Sequence, residues 1–147
     1  VLGSGEWEYE NYFRYLHDKY PDKVGITIGF VPDLARKIYA GADLFLMPSK
    51  SEPCGLSQMV ALRYGTLPIV RETGGLKDSI TDCGDGQGNG FTFKTYDAYD
   101  MLGAIYRGVD AYNSKDWNVL VKRALECDMS WGKSANEYIK MYRSLLK

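Results

Sequence analysis

The segment between Asp43 and Tyr64 constrains the fold most, because a strand, a tight turn and a helix follow one another there. Residues 43–47 form an apolar run of strand type, and residues 55–64 carry apolar side chains at helical spacing. This arrangement aims free backbone N–H groups and a positive helix end at the carboxyl edge of a parallel sheet, where anions bind. The sequence therefore predicts an anion site with one carboxylate, Glu52, at its rim.

Strands alternate with helices along the whole chain, and this pattern predicts the fold class. The predicted strands are 1–2, 23–29, 43–47, 67–71 and 91–93; the predicted helices are one that ends before Pro21 and those at 33–42, 55–64, 77–80, 96–112, 115–127 and 134–146. Such alternation predicts right-handed crossovers and a Rossmann-like α/β fold, a parallel sheet with helices on both faces. At 147 residues, the chain is expected to form a single domain.

Four loops are expected to meet at one edge of this sheet. They follow Leu2, Ile28, Met47 and Arg71, each at the carboxyl end of a predicted strand. Ligands of open α/β sheets bind in the crevice outside these strand ends. The loops therefore predict one shared ligand crevice.

Charge and cysteine content exclude several classes of function. The net charge is −1 and no basic run occurs, which argues against a nucleic-acid partner. No apolar run approaches the ~18 residues of a membrane span, so no membrane partner is expected. The three cysteines, Cys54, Cys83 and Cys127, are far apart and indicate reduced thiols in a cytosolic protein.

Two glycine-rich loops depart from the ligand motifs they resemble. Gly3-Ser4-Gly5 follows a strand, but Glu8 stands where a dinucleotide fingerprint needs its third glycine. The loop 82–90 lacks the alternating oxygen ligands and the final Glu of a calcium loop. We therefore expect a tight turn at the first loop and a mobile linker at the second.

Three features each allow a structural and a functional interpretation. Phe30, at a strand end, is either a core side chain or a flat platform on which a nucleobase stacks. The Glu52 loop is either a plain helix start, with Ser51 as the cap and Pro53 in the first turn, or a site for substrate hydroxyls and phosphate. The segment 73–75 is either a turn or permissive backbone close to a ligand. The twelve tyrosines are expected mostly on inward helix faces.

From Asp43 to Ser79 the sequence resembles the bacterial glycogen synthase and plant starch synthase family. The matching segments are 42–49, 52–58, 64–71 and 73–76, with weaker similarity elsewhere, including 90–93 and Ser130-Trp131. The resemblance implies a GT-B fold, of which this chain would be most of the C-terminal, donor-binding domain. It also implies transfer of glucose from ADP-glucose to the non-reducing end of an α-1,4-glucan, with retention at the anomeric carbon.

The resemblance implies roles for individual residues. Glu52, the candidate catalytic residue, would lie beside the donor glucose, and Phe30 would stack on adenine. The other candidate substrate-binding residues are Cys54, Gly55, Leu56 and Ser57, which would contact sugar and diphosphate, and Thr73, Gly74 and Gly75, which would line the same crevice. Val60 stands where related retaining transferases carry a second Glu, which favours glucan synthases. No metal and no cofactor are implied, since ADP-glucose is a substrate.

We expect the chain to be a fragment, truncated on its N-terminal side so that a first strand and helix are missing. The family's upstream Arg and Lys for the diphosphate, and its N-terminal domain with the glucan groove, would lie before Val1. A helix end contributes roughly 0.3–1 kcal/mol to an anion, whereas enzymatic rate enhancement needs about 8–23 kcal/mol. The chain alone is therefore predicted to be inactive, with ADP-glucose, the glucan and the missing domain as partners.

Two alternatives to this function stay open. One is another retaining GT-B transferase that uses a UDP- or GDP-sugar, because Phe30 would stack on any base. The other is a stand-alone nucleotide-binding module. The family implies a cytoplasmic location, or a plastid if the source is a plant.

Overall fold

The chain forms two compact units, one from Val1 to Ile38 and a second from Tyr39 onward. The computed structural model describes residues 1–146, except for the side chain of Asp85. The first unit contains β1 (Leu2–Gly3), α1 (Trp7–Lys19), β2 (Thr27–Ile28) and the start of α2 (Pro32–Gly41). Its two strands pair in parallel, with Leu2 opposite Thr27 and Gly3 opposite Ile28. The parallel direction is the predicted one, although each strand is short.

The strand predicted at 23–29 is reduced to two residues because a turn takes its first amides. The N–H groups of Lys23 and Val24 both donate to the carbonyl oxygen of Tyr20, at 3.0 and 2.9 Å. This turn directly follows the end of α1, where the N–H of Tyr20 donates to the carbonyl oxygen of Leu16. The β-branched run predicted a longer strand, but the first amides of the run form turn hydrogen bonds, so only Thr27 and Ile28 pair as a strand.

The second unit is built on a three-stranded parallel sheet in the order β3-β4-β5. Met47 lies opposite Val70, and Val70 lies opposite Thr92. The elements are β3 (Leu44–Met47), α3 (Ser57–Arg63), β4 (Leu67–Arg71), α4 (Gly74–Ser79), a 3₁₀ turn (Cys83–Asp85), β5 (Phe91–Phe93), α5 (Ala98–Tyr112), α6 (Trp117–Glu126) and α7 (Trp131–Leu145). The bounds predicted for β4 and β5 are confirmed.

The core of the second unit lies on both faces of β4. Successive side chains of a strand point to opposite faces, and Ile69 and Val70 accordingly belong to different clusters. One cluster contains Leu67, Ile69, Phe91, Phe93, Ala104 and Leu120, and the other contains Leu62, Val70, Leu76, Ile80 and Ala124. Each fully buried side chain of this size stabilises the fold by about 1.5–3 kcal/mol. Helices therefore cover both faces of this sheet, as predicted.

The prediction that the tyrosines face inward is wrong. All of them except Tyr39 are exposed, and α7 has no buried residue. A tyrosine hydroxyl needs water or a partner, and leucine, isoleucine and phenylalanine fill the core instead. Within residues 1–146, the helices are too short or too polar to cross a bilayer.

Candidate functional site

Two loops meet at the carboxyl edge of the second sheet. The loop from Pro48 to Leu56 follows β3, and Glu72 and Thr73 follow β4. The N–H of Gly75 donates to the carbonyl oxygen of Glu52 over 3.2 Å. The structure therefore brings the predicted residues after Met47 and after Arg71 into direct contact.

The two glycines that begin α4, directly after the second loop, are required by this contact. A Cβ atom on Gly75 would lie 1.8 Å from the carbonyl oxygen of Cys54, and one on Gly74 would lie 2.0 Å from that of Glu52. Real Cβ atoms essentially never approach other atoms so closely. The atoms that leave no room for a side chain at these two positions thus belong to the Glu52 loop.

The carbonyl oxygens of the Glu52 loop are tied to the body of the unit. Arg71 donates from Nε to the carbonyl oxygen of Ser49 at 2.9 Å, and from its guanidinium to that of Lys50. Gln58 donates from Nε2 to the carbonyl oxygen of Gly55 at 2.9 Å and to that of Cys54 at 3.4 Å. The loop is therefore anchored through its carbonyl oxygens, which accept hydrogen bonds from Arg71 and Gln58.

The N–H groups of the same loop stay free. Over residues 1–146, the N–H groups of Cys54, Gly55, Leu56 and Ser57 donate to no protein acceptor. Gly55 has a positive φ of 74° and Leu56 lies in the right-handed region. Such alternation turns successive N–H groups toward one point and forms an anion-binding nest. The loop can therefore receive a phosphate on backbone donors.

The interpretation of this loop as a plain helix start is wrong. Helix α3 begins at Ser57, two residues later than predicted, and neither Ser51 nor Pro53 lies in its first turn. The residue before the helix, Leu56, offers no side-chain cap. The positive φ of Gly55 is outside the helical range, so the chain turns once more before the helix begins.

Glu52 carries an uncommitted carboxylate at this site. Its side chain is half-buried, and within residues 1–146 its carboxylate accepts no hydrogen bond and forms no ion pair. The carboxylate is therefore available to hydroxyl groups of a ligand that binds the neighbouring amides.

Phe30 belongs to the first unit. It follows β2 through Gly29, whose N–H donates to the carbonyl oxygen of Gly3 at 2.9 Å. Its side chain is 91% exposed, so the interpretation as a core residue is wrong. An exposed aromatic ring at a strand end is consistent with a stacking platform, and that role stays a prediction.

A network of polar side chains contacts the second loop at Glu72. Thr92 Oγ1 donates to Glu72 Oε1 at 2.8 Å, and the N–H of Thr92 donates to Asp82 Oδ2 at 2.7 Å. Arg107 forms an ion pair with Asp82 at 2.9 Å. Partial burial favours neutral Asp82, but these donors and the N–H of Gly84 outweigh it and hold the pKa of Asp82 below its ordinary value.

This network corrects the expectation of a mobile linker at 82–90. Asp82 fixes the start of the segment, and Asn89 fixes its end by bonds to the N–H of Thr81 and the carbonyl oxygen of Ser79. Arg123 donates to the carbonyl oxygen of Gly88 at 2.8 Å. Side chains of the loop itself and of helices α5 and α6 thus hold a loop whose glycine content alone suggested mobility.

Sequence reasoning missed three residues that shape the site: Gln58, Arg71 and Ser79. Arg71 could have been noticed, since it is a charged residue at the end of a buried strand. Its guanidinium carbon also lies 5.8 Å from the ring centre of Tyr96, beside a cleft of about 320 Å³ lined in part by Pro48 and Phe93. The described residues contain no group of three or more His, Cys, Asp or Glu side chains that could hold a metal.

The fold and the site together define a class: α/β proteins with a candidate anion site at the carboxyl ends of parallel strands. Comparison with known proteins narrows this class. The family model described as glycosyl transferases group 1 matches residues 1–113. The chain therefore belongs to the group 1 glycosyl transferases.

Known glycogen synthases are similar along the whole chain. The glycogen synthase of Bacillus cereus (strain ATCC 10987 / NRS 248) is 52% identical, and that of Geobacillus thermodenitrificans (strain NG80-2) is 53% identical, each over 100% of this chain. The matches cover 32% and 31% of these relatives. The chain thus spans about a third of the length of the curated relatives it matches.

Solved structures confirm the predicted fold class. The catalytic domain of starch synthase IV from Arabidopsis thaliana, bound to ADP and acarbose, superposes with a TM-score of 0.82 at 36% identity, over 99% of this chain and 31% of that one. Sucrose-phosphate synthase from Thermosynechococcus elongatus has a TM-score of 0.67 at 22% identity, over 99% of this chain and 37% of that one, and supports the fold alone. The predicted resemblance to glycogen and starch synthases is confirmed.

Proposed function

We propose that this chain is the donor-binding part of a glycogen or starch synthase, which transfers glucose from ADP-glucose to the non-reducing end of an α-1,4-glucan with retention. The observation that carries the proposal is the pairing of a free carboxylate, Glu52, with the free N–H groups of residues 54–57. The amides suit a diphosphate, and the carboxylate suits the hydroxyls of the attached sugar. The whole-chain similarity to glycogen synthases supports glucose as that sugar.

The chemistry expected of these residues is binding and charge stabilisation. The amides would stabilise the negative charge that develops on the departing diphosphate, which is how fixed donors accelerate such reactions. Glu52 would orient the glucose by its hydroxyls, and orientation alone can supply a large part of a rate enhancement. Phe30 would stack on adenine. No metal or other cofactor takes part in this scheme.

Further parts of the enzyme complete the proposal. The groove for the glucan acceptor would come from an N-terminal domain, the additional Arg and Lys for the diphosphate would come from another segment outside this chain, and the isolated chain would not catalyse transfer. The cytoplasmic or plastid location stays a prediction. Measurable glucan elongation by the purified 147-residue chain would contradict the proposed dependence on the second domain.

The test is Glu52→Ala in the intact enzyme, with ADP-glucose, UDP-glucose and GDP-glucose as separate donors. Loss of glucose transfer by orders of magnitude, with unchanged circular dichroism, supports the proposal. Equal or greater turnover of wild type with a UDP- or GDP-sugar favours the alternative transferase. Absence of transfer by wild type from all three donors favours a nucleotide-binding module.

A further inference from the structure

Gln58 is a fully buried polar side chain in the first turn of α3. Its Nε2 lies within hydrogen-bond distance of three acceptors: the carbonyl oxygen of Gly55 at 2.9 Å, Ser79 Oγ at 3.1 Å and the carbonyl oxygen of Cys54 at 3.4 Å. Burial of an amide is unfavourable unless its hydrogen bonds are made. With two hydrogens on Nε2, Gln58 therefore fits its surroundings as a donor shared among these three acceptors.

The orientation of the Gln58 amide follows from the same contacts. An exchange of its oxygen and nitrogen would set Oε1 against two carbonyl oxygens, which repel it. With Nε2 in that place, Oε1 is buried and accepts no hydrogen bond from a described residue. It faces Gly55, where an added Cβ would lie 2.5 Å from it. Gln58 thus leaves one acceptor unpaired in order to donate to the loop.

Ser79 extends the contact to the first turn of α4, the helix that follows the second loop of the site. Its Oγ accepts from Gln58 and donates to the carbonyl oxygen of Gly75 at 2.6 Å. A continuous chain of hydrogen bonds therefore runs from Gly55 through Gln58 and Ser79 to Gly75. Because Gln58 engages the carbonyl oxygens of Cys54 and Gly55, it fixes the two peptide planes that carry the N–H groups of Gly55 and Leu56.

We propose that Gln58 is a positioning residue for the reaction: its buried amide sets the direction of the N–H groups of Gly55 and Leu56 and links their loop, through Ser79, to the start of α4. The inference rests on the proposed function, since it assigns these amides to the diphosphate of the donor. Gln58 itself touches no substrate. Gln58 therefore affects the binding of the phosphate groups and does not affect the binding of the nucleoside.

The test compares Gln58→Met with Thr66→Val in the intact enzyme. Methionine has a similar shape and cannot donate. Thr66 is a matched control, because its buried Oγ1 bonds to the carbonyl oxygens of Tyr39 and Ala42, outside both loops. The probes are ADP and adenosine, measured by titration well below the unfolding temperature, together with kcat/KM for ADP-glucose.

Gln58→Met is expected to lower kcat/KM and the affinity for ADP by roughly 10- to 100-fold, because small displacements of binding groups cost this much. Its affinity for adenosine should stay within a factor of about 2, because adenosine carries no phosphate. Thr66→Val should leave the ratio of the two affinities as in wild type. Unchanged ADP affinity in Gln58→Met, or an equal loss in Thr66→Val, would overturn the proposal.

Two further measurements separate this inference from the proposed function. If wild type does not transfer glucose, the proposed function fails, and the positioning role is judged on amide chemical shifts in this chain without ligand. Gln58→Met must then shift the amides of Gly55 and Leu56, and Thr66→Val must not; unmoved shifts in Gln58→Met overturn the role. If Gln58→Met does not fold, Ser79→Ala interrupts the same chain of hydrogen bonds and is held to the same criteria.

Discussion

The N–H of Gly75 donates to the carbonyl oxygen of Glu52, so the two loops of the candidate site are joined through their backbones. Gly75→Ala should separate them, because the new Cβ would lie 1.8 Å from the carbonyl oxygen of Cys54. We expect a loss of stability of about 1–3 kcal/mol, typical of overpacking, and loss of most glucose transfer by the intact enzyme. Urea unfolding and a transfer assay measure the two effects.

Gly103→Ala is the matched control for that substitution. Gly103 lies in α5, and an added Cβ would meet nothing within 4 Å. Alanine in a helix interior is favoured over glycine by about 0.5–1 kcal/mol, so this variant should be slightly more stable and fully active. Equal behaviour of the two variants would show that the close contact at Gly75 is not what holds the loops.

Arg71→Lys tests the anchoring of the Glu52 loop by its carbonyl oxygens. Lysine keeps the charge but cannot reproduce the guanidinium fork that reaches both Ser49 and Lys50. We expect the free energy of unfolding to fall by about 1–2 kcal/mol, as measured by urea denaturation. Arg63→Lys, at the exposed end of α3, should be neutral. A neutral Arg71→Lys variant would argue against anchoring by Arg71.

Asp82→Asn tests the network behind the second loop by its pH dependence. The folded pKa of Asp82 lies below the ordinary value of 3.8, so the ionised group stabilises the folded state above that pH. The variant should be less stable than wild type by about 1–2 kcal/mol at neutral pH. The difference should shrink as the pH falls below 3.8 toward the folded pKa, because wild-type Asp82 is then protonated as well.

Thermal unfolding of both proteins from pH 2 to pH 7 checks this prediction. Asp22→Asn is the control, because Asp22 is exposed and forms no hydrogen bond or ion pair with a described residue. A stability difference for Asp82→Asn that stays constant across this range would indicate a cause other than the charge of Asp82.

Phe30→Ala tests the stacking platform. Because the side chain is 91% exposed, its removal should leave stability nearly unchanged. The intact enzyme should bind ADP-glucose more weakly by about 0.5–1.5 kcal/mol, the contribution of one aromatic pair. Isothermal titration measures the affinity, and Tyr9→Ala, an exposed aromatic residue of α1, serves as control. An unchanged affinity in Phe30→Ala would remove Phe30 from the site.

Regular elements with a continuous apolar pattern were predictable from the sequence. The bounds of β4 were correct because four apolar residues, from Leu67 to Val70, stand between Gly65 and Glu72, which do not suit a buried strand. The meeting of the loops after β3 and β4 was also predictable, since parallel strands place their carboxyl ends at one edge.

The fine geometry of the site was not predictable, because it depends on contacts distant in sequence. A glutamine on a short helix is by default a surface residue. Gln58 is instead buried, and one partner of its side-chain amide is Ser79, 21 positions away. The late start of α3 depends on the φ of Gly55, which no spacing rule reveals. The strand at 23–29 was overestimated because residue preference does not show which amides a turn will use.

In the second unit, the amides of the central strand β4 and the amides of the Glu52 loop should exchange with solvent by different routes. Apart from Pro68, which has no N–H, the residues of β4 lie in register with β3 or β5, and the side chains from Leu67 to Val70 are buried. The β4 amides therefore exchange with solvent deuterium only when the unit opens as a whole. The amides of residues 54–57 donate to no acceptor within residues 1–146 and should exchange from the folded state. Deuterium labelling can therefore detect ligand occupancy as slowed exchange of these four amides, while the slow exchange of β4 records global opening in the same experiment.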